Sequence, residues 1–125
     1  MCTSIIFSPQ DHYFGRNLDL EVTFGQQVVV TPRNYVFNFR KMPEMKQHYA
    51  MVGIALDTGD YPLYFDAANE KGLGMAGLNY PDNATYYDVV DGKDNIASFE
   101  FIPWILGQCE TCLLYTSPSP RDRQK

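Results

Sequence analysis

The chain opens Met1-Cys2-Thr3-Ser4-Ile5-Ile6-Phe7. The apolar run reads as a strand, and a cysteine stands ahead of it, directly behind the initiator methionine. A free cysteine is usually a small buried hydrophobe, and a chain end is a poor place for one. Processing offers another reading. Methionine is normally trimmed when the next residue is small, so Cys2 becomes the N-terminal residue, with a thiol and a free α-amino group on one carbon. The reference pKa of the amine is about 7.7–8.0 and that of the thiol about 8.5. The amine is therefore a base near neutral pH, and the thiol needs a base to reach its nucleophilic thiolate. One residue then holds both nucleophile and base.

Working outward, Ser8-Pro9-Gln10-Asp11 is a turn and Tyr13 to Asn17 a returning strand. This hairpin brings Gly15-Arg16-Asn17-Leu18-Asp19 back beside the chain start. There a carboxylate from Asp19 would hold and orient the α-ammonium, and the Arg16 guanidinium would favour the thiolate; the alternative is an ordinary surface ion pair. Further strands are expected at Gln27–Thr31, Tyr35–Phe39, Tyr49–Leu56, Leu63–Phe65 and Leu73–Leu78, the last two joined by the turn Asn69–Gly72. From Phe99 to Cys109 the apolar residues repeat at helical spacing, with Ser98 as the expected N-cap and Pro103 forcing a late start or a bend. Strands followed by a helix make an α+β, layered architecture.

The 125 residues, 45% hydrophobic, suffice for one domain. A formal charge of −5, with no basic stripe interleaved with aromatics, argues against nucleic acid as a partner. No apolar stretch approaches the ~18 residues of a membrane span, and no signal peptide is legible, so the cytoplasm is the expected location. Three cysteines do not make a disulfide framework. His12 and His48 lack metal-ligand spacing and are expected to face solvent or pack.

Several motifs are decoys. Gly72-Leu-Gly74-Met-Ala-Gly77 matches G-x-G-x-x-G, but a polar turn precedes it and Pro81 follows closely, so no helix opens inside it. The plain reading is a glycine-rich strand that something approaches closely. Cys109-Glu-Thr-Cys112 has no second ligand pair. Asn83-Ala-Thr85 is a glycosylation sequon without a secretion signal. Residues 112–125, ending Ser-Pro-Ser-Pro-Arg-Asp-Arg-Gln-Lys, resemble translated adaptor sequence. They are read as a non-native, disordered tail, following a helix that ends without a cap of its own.

Taken in order, Met1-Cys2-Thr3, Phe14–Asp19, Asp60-Tyr61-Pro62, Asn69–Pro81 and the helix from Phe99 to Gln108 resemble the choloylglycine hydrolase family. Its members are N-terminal nucleophile hydrolases that include bile salt hydrolases and penicillin V acylases. The resemblance runs from residue 1 to about 111 and implies the N-terminal part of an αββα fold, because members of the family are much longer. It implies Cys2 as nucleophile, Asp19 as the partner of its α-amino group, Arg16 beside the thiol, and Asn79 as a backbone oxyanion-hole donor. A second donor, an asparagine side chain, and a further arginine come later in the family's sequences. Phe24, Leu63, Tyr64 and Phe65 match segments that wall an apolar pocket; the alternative for these aromatics is core packing, which for Phe65 weighs equally. The implied substrate is a small molecule, a conjugated bile acid; Asn79 fits that branch better than the penicillin branch. A penicillin V or acyl-homoserine-lactone acylase is the alternative. A β-rich binding module using Gly72–Gly77 and the Tyr80–Tyr87 loop is the non-enzyme one. The resemblance further implies no cofactor, no metal, no membrane, a homotetrameric parent, and no activity in this segment alone.

Overall fold

The computed structural model describes residues 2–79 and 84–115. Met1, whose removal the N-terminal nucleophile reading requires, lies outside the described residues. So do Tyr80 and Pro81 of the Tyr80–Tyr87 loop, Asn83 of the sequon and residues 116–125 of the tail. Strands β1 (Thr3–Phe7) and β2 (Tyr13–Asn17) form an antiparallel hairpin. A second antiparallel sheet runs in the order β3 (Gln27–Thr31), β4 (Met51–Asp57), β5 (Pro62–Asn69), β6 (Gly74–Ala76). A 3-10 turn at Ser98–Glu100 leads into α1 (Phe101–Gln108), and one further helical turn, α2, spans Cys112–Tyr115.

Alternation sorts the larger sheet into two faces. Met51, Ala55, Tyr64 and Ala67 point to one side and form the core with Ile102, Ile105 and Leu106 of α1. The opposite face meets the hairpin. There Phe14 of β2 lies against Gly74 of β6, where a Cβ would stand 2.7 Å from the Phe14 ring. The glycine-rich stretch thus serves close approach, and β6 rather than a helix occupies the G-x-G-x-x-G motif. Helix, sheet and hairpin stack in three layers, as expected of the N-terminal part of an αββα fold.

Tyr35–Phe39 is not a strand. Phe37 and Phe39 are buried, as the alternation predicts, but only Phe37 and Met45 exchange backbone bonds, at 3.1 and 2.9 Å. The next bonded pair would set Phe39 opposite Pro43, which has no N–H to give, so the ladder stops at one bridge. Ser98 does not cap the helix. It begins the 3-10 turn, and the buried Glu100 carboxylate accepts from the Ala97 and Arg40 N–H groups at 3.1 and 2.7 Å. Pro103 is the third residue of α1, where its missing N–H costs nothing, and the helix does start late.

The end of α1 is capped from other elements. Asn69 Nδ2 donates to the Leu106 and Cys109 carbonyls, both at 2.8 Å, and the Tyr49 N–H to the Gly107 carbonyl at 3.1 Å. Beyond it, Cys112–Tyr115 is helical rather than disordered, with Leu113 and Leu114 exposed. His48 is packed: its ring lies 4.8 Å from Phe37, and both nitrogens meet backbone carbonyls, of Tyr49 and Tyr35. His12 is exposed and bonded to Ser8 at 2.7 Å.

The β5–β6 turn is anchored as well. Glu70 accepts from Arg33 Nε at 2.8 and 2.9 Å and from the Ala50 N–H at 2.9 Å. The Arg33 bonds first, then the backbone bond, pull its carboxyl down to about 2. A folded-state value below the unfolded one of about 4.3 stabilises the fold above that pH, and the contribution fades as pH falls towards 2. Glu70→Gln is therefore expected to unfold at lower temperature than wild type at pH 7, with the gap closing between about pH 4 and pH 2. A pH series of thermal melts checks this; a gap constant across the series would refute it.

Candidate active site

Register fixes the site. Thr3 pairs with Asn17 and Ser4 with Arg16, so Cys2 continues the edge of β1 toward residue 18. By strand alternation Cys2 shares the face of Ser4, and Arg16 stands opposite Ser4, so Cys2 and Arg16 fall on one side of the hairpin. The chain then leaves β2 and passes the thiol, whose Sγ lies 3.7 Å from the Asp19 carbonyl oxygen. Cys2 is half-buried. The thiol thus has a ready approach and a fixed neighbour.

Arg16 is no surface charge. Its side chain is 6% exposed. Nη1 donates to the Asp66 carboxylate and to the Phe65 carbonyl, both at 3.3 Å, and Nη2 to the Gly77 carbonyl at 3.0 Å. Its ion-pair partner is thus Asp66 of β5, not a residue of its own hairpin. The contact at Gly77 ties the hairpin to the segment that carries Asn79 two residues on. Asn79 itself is exposed, in the irregular segment after β6.

The four expected pocket residues divide. Phe24, half exposed in the β2–β3 connection, stacks on Phe65 with ring centroids 6.5 Å apart. Leu63 sits on the hairpin-side face, opposite Leu56 of β4. Tyr64 faces the other way. It is buried in the core against α1, its hydroxyl 2.7 Å from Thr31 Oγ1, and burial pushes its pKa up. Tyr64 is therefore a core residue here and does not line a wall with Phe65.

Asp66 and the Phe65 carbonyl escaped the sequence reading, which ended the strand at Phe65. The available signal was an aspartate inside an otherwise apolar segment, Leu63 to Ala68. A carboxylate in a strand interior needs a partner.

Comparison with known proteins agrees with this geometry. The sequence profile of linear amide C–N hydrolases, choloylglycine hydrolase family, matches residues 2–113. The chain is 49% identical over 108 residues to a bile salt hydrolase/transferase of Lactiplantibacillus plantarum, covering 86% of this chain and 33% of that protein. It is 42% identical over 108 residues to a conjugated bile acid hydrolase of Lactobacillus gasseri, covering 84% and 34%. The fold superposes on the crystal structure of the mutant C2A conjugated bile acid hydrolase from Clostridium perfringens with a TM-score of 0.82 at 36% identity, covering 91% of this chain and 36% of that one. The chain thus spans about a third of the length of these relatives. With the profile matched over nearly its whole length and the hairpin, sheet and helix superposed, the chain belongs to the choloylglycine hydrolase family of linear amide C–N hydrolases.

Proposed function

We propose that the complete protein carrying this chain is a cysteine N-terminal nucleophile amidohydrolase that cleaves glycine- and taurine-conjugated bile acids. The observation that carries the reading is the Cys2 thiol at the end of the β1–β2 hairpin, 3.7 Å from the Asp19 carbonyl oxygen, with Arg16 on the paired strand. The relatives' names supply the substrate class.

The chemistry follows from the residue types. The Cys2 amine takes the thiol proton, and the sulfur attacks the amide carbonyl carbon. The oxyanion forms against the Asn79 N–H and a second donor that lies outside this chain. The amine returns the proton to the departing nitrogen, the C–N bond breaks, and a thioester remains. Water cleaves it, releasing the bile acid and restoring the thiol. Phe24, Phe65 and Leu63 offer apolar surface to the steroid. Asp19 holds the amine in place, and Arg16 stands beside the sulfur.

Among the described residues no helix is long and apolar enough to cross a membrane. The cytoplasm as location and four copies in the complete protein belong to the same proposal and rest on the family resemblance.

The test is glycine and taurine release from glycocholate and taurocholate by the complete protein, with penicillin V and an acyl-homoserine lactone as competing substrates. Faster turnover of either competitor would replace the bile salt reading with an acylase one; no turnover of any would leave the binding-module reading. Asp19→Asn is expected to lower kcat by about 10²-fold, because a neutral amide holds the ammonium less firmly, with the circular dichroism spectrum unchanged. Turnover near wild type would make Asp19 an ordinary surface charge.

A further inference from the structure

Strand β5 contains one extra residue. Asp66 pairs with Ile54 and Tyr64 with Ala55, so Phe65 is a β-bulge with no partner on β4. A bulge shifts the side-chain alternation by one. Tyr64 and Ala67, three residues apart, consequently both point into the core, and Asp66 is turned to the hairpin side. In a regular strand Asp66 would share the face of Tyr64, against the apolar α1. On the β6 side the Phe65 carbonyl accepts from the Gly77 N–H at 2.8 Å as well as from Arg16.

The result is a built socket for one guanidinium. Asp66, with its side chain 10% exposed, receives Arg16 Nη1 on Oδ2 and the Ile54 N–H on Oδ1, both at 3.3 Å. The Phe65 and Gly77 carbonyls hold the two Nη atoms. Arg16 Nε is buried with no hydrogen-bond partner among the described residues. A cation fixed at both Nη atoms, with one buried N–H uncommitted, is poised for a further partner rather than for solvent.

We propose that Asp66 is the positioning residue for Arg16: the β5 bulge aims its carboxylate so that the guanidinium stands at a set place beside the Cys2 thiol. This rests on the reading of Cys2 and Arg16 as active-site groups. Asp66 acts only through Arg16. A misplacement of about 1 Å in such a group is worth about 10²-fold in rate.

Three variants of the complete protein test it, with folding checked by circular dichroism and melting. Asp66→Ala is expected to lower kcat for glycocholate by about 10²-fold with KM within about threefold. Asp66→Asn keeps the shape and one acceptor oxygen, and loses about tenfold. Adding Asp66→Ala to Arg16→Leu costs less than about twofold more, since the group being positioned is already gone. A folded Asp66 variant with kcat within twofold of wild type, or losses that multiply in the double variant, would overturn the proposal. A second readout needs no substrate: the rate of Cys2 alkylation by iodoacetamide at pH 7, followed by the mass of the N-terminal peptide. Asp66→Ala and Arg16→Leu are expected to change it by the same factor; an unchanged rate in Asp66→Ala would refute the positioning role. If wild type cleaves no amide, the amidohydrolase reading fails and the alkylation rates alone decide about Asp66.

Discussion

In the complete protein, on the proposed function, Cys2→Ser is expected to abolish bile salt hydrolysis, and so is any tag that leaves the N-terminus blocked. The two changes remove different halves of one device. A serine hydroxyl at position 2 keeps the α-amine but is far harder to deprotonate than a thiol, which is already a few per cent thiolate at pH 7. A blocked N-terminus keeps the thiol but turns the amine into an amide with no useful basicity. Either loss is expected to exceed about 10³-fold in kcat, because nucleophile and base act as a unit and removing one costs nearly as much as removing both. Glycine release by ninhydrin, read beside the intact mass of the N-terminal peptide, separates processed from unprocessed protein. Full activity in a protein that retains its N-terminal extension would sink the assignment. The structure adds that the thiol depends on its own hairpin for placement: β1 holds it at one end, and the Asp19 carbonyl meets its sulfur.

What was legible in the sequence was local. The bounds of β2 and β3 follow from apolar alternation between turn residues. The errors share a cause, which is partners supplied from far along the chain. Arg16 belongs to the hairpin, yet its carboxylate partner lies 50 positions away on β5. Aspartate is a poor strand former, so the sequence ended β5 at Phe65, and the bulge that turns Asp66 outward leaves no local mark. The resemblance assigns Tyr64 and Phe65 to one pocket wall, whereas neighbouring residues of a strand point to opposite faces. The helix end looked bare for the same reason. Helix stops are read from a following glycine or proline, and α1 is stopped instead by an asparagine 37 residues earlier than Leu106.

That asparagine makes the larger stability prediction. Asn69 is buried and uses all of its amide. Nδ2 donates to the Leu106 and Cys109 carbonyls, and Oδ1 accepts the N–H groups of Lys71 at 3.1 Å and Leu73 at 3.0 Å. One side chain therefore closes the β5–β6 turn and caps α1. The turn itself needs Gly72, whose φ of +88° few other residues adopt, and the Gly72 N–H donates to the Asn69 carbonyl at 2.9 Å. Asn69→Ala leaves two carbonyls and two N–H groups without these partners, and a buried orphan costs about 1–3 kcal/mol. Water reaches some of them, so the expected loss is about 3–5 kcal/mol, a large share of the 5–15 kcal/mol by which a domain is stable. Asn69→Asp separates the two roles. Its carboxylate still accepts from the turn but has no donor for the helix, and it adds negative charge at the negative end of α1. Its loss is expected to be comparable, arising at the helix. Denaturant melts of the complete protein measure both totals. Hydrogen exchange locates them: protection falls at Lys71 and Leu73 in Asn69→Ala, but is kept there in Asn69→Asp while α1 loses it. A loss below about 1 kcal/mol in Asn69→Ala would mean that helix and turn hold each other without this side chain.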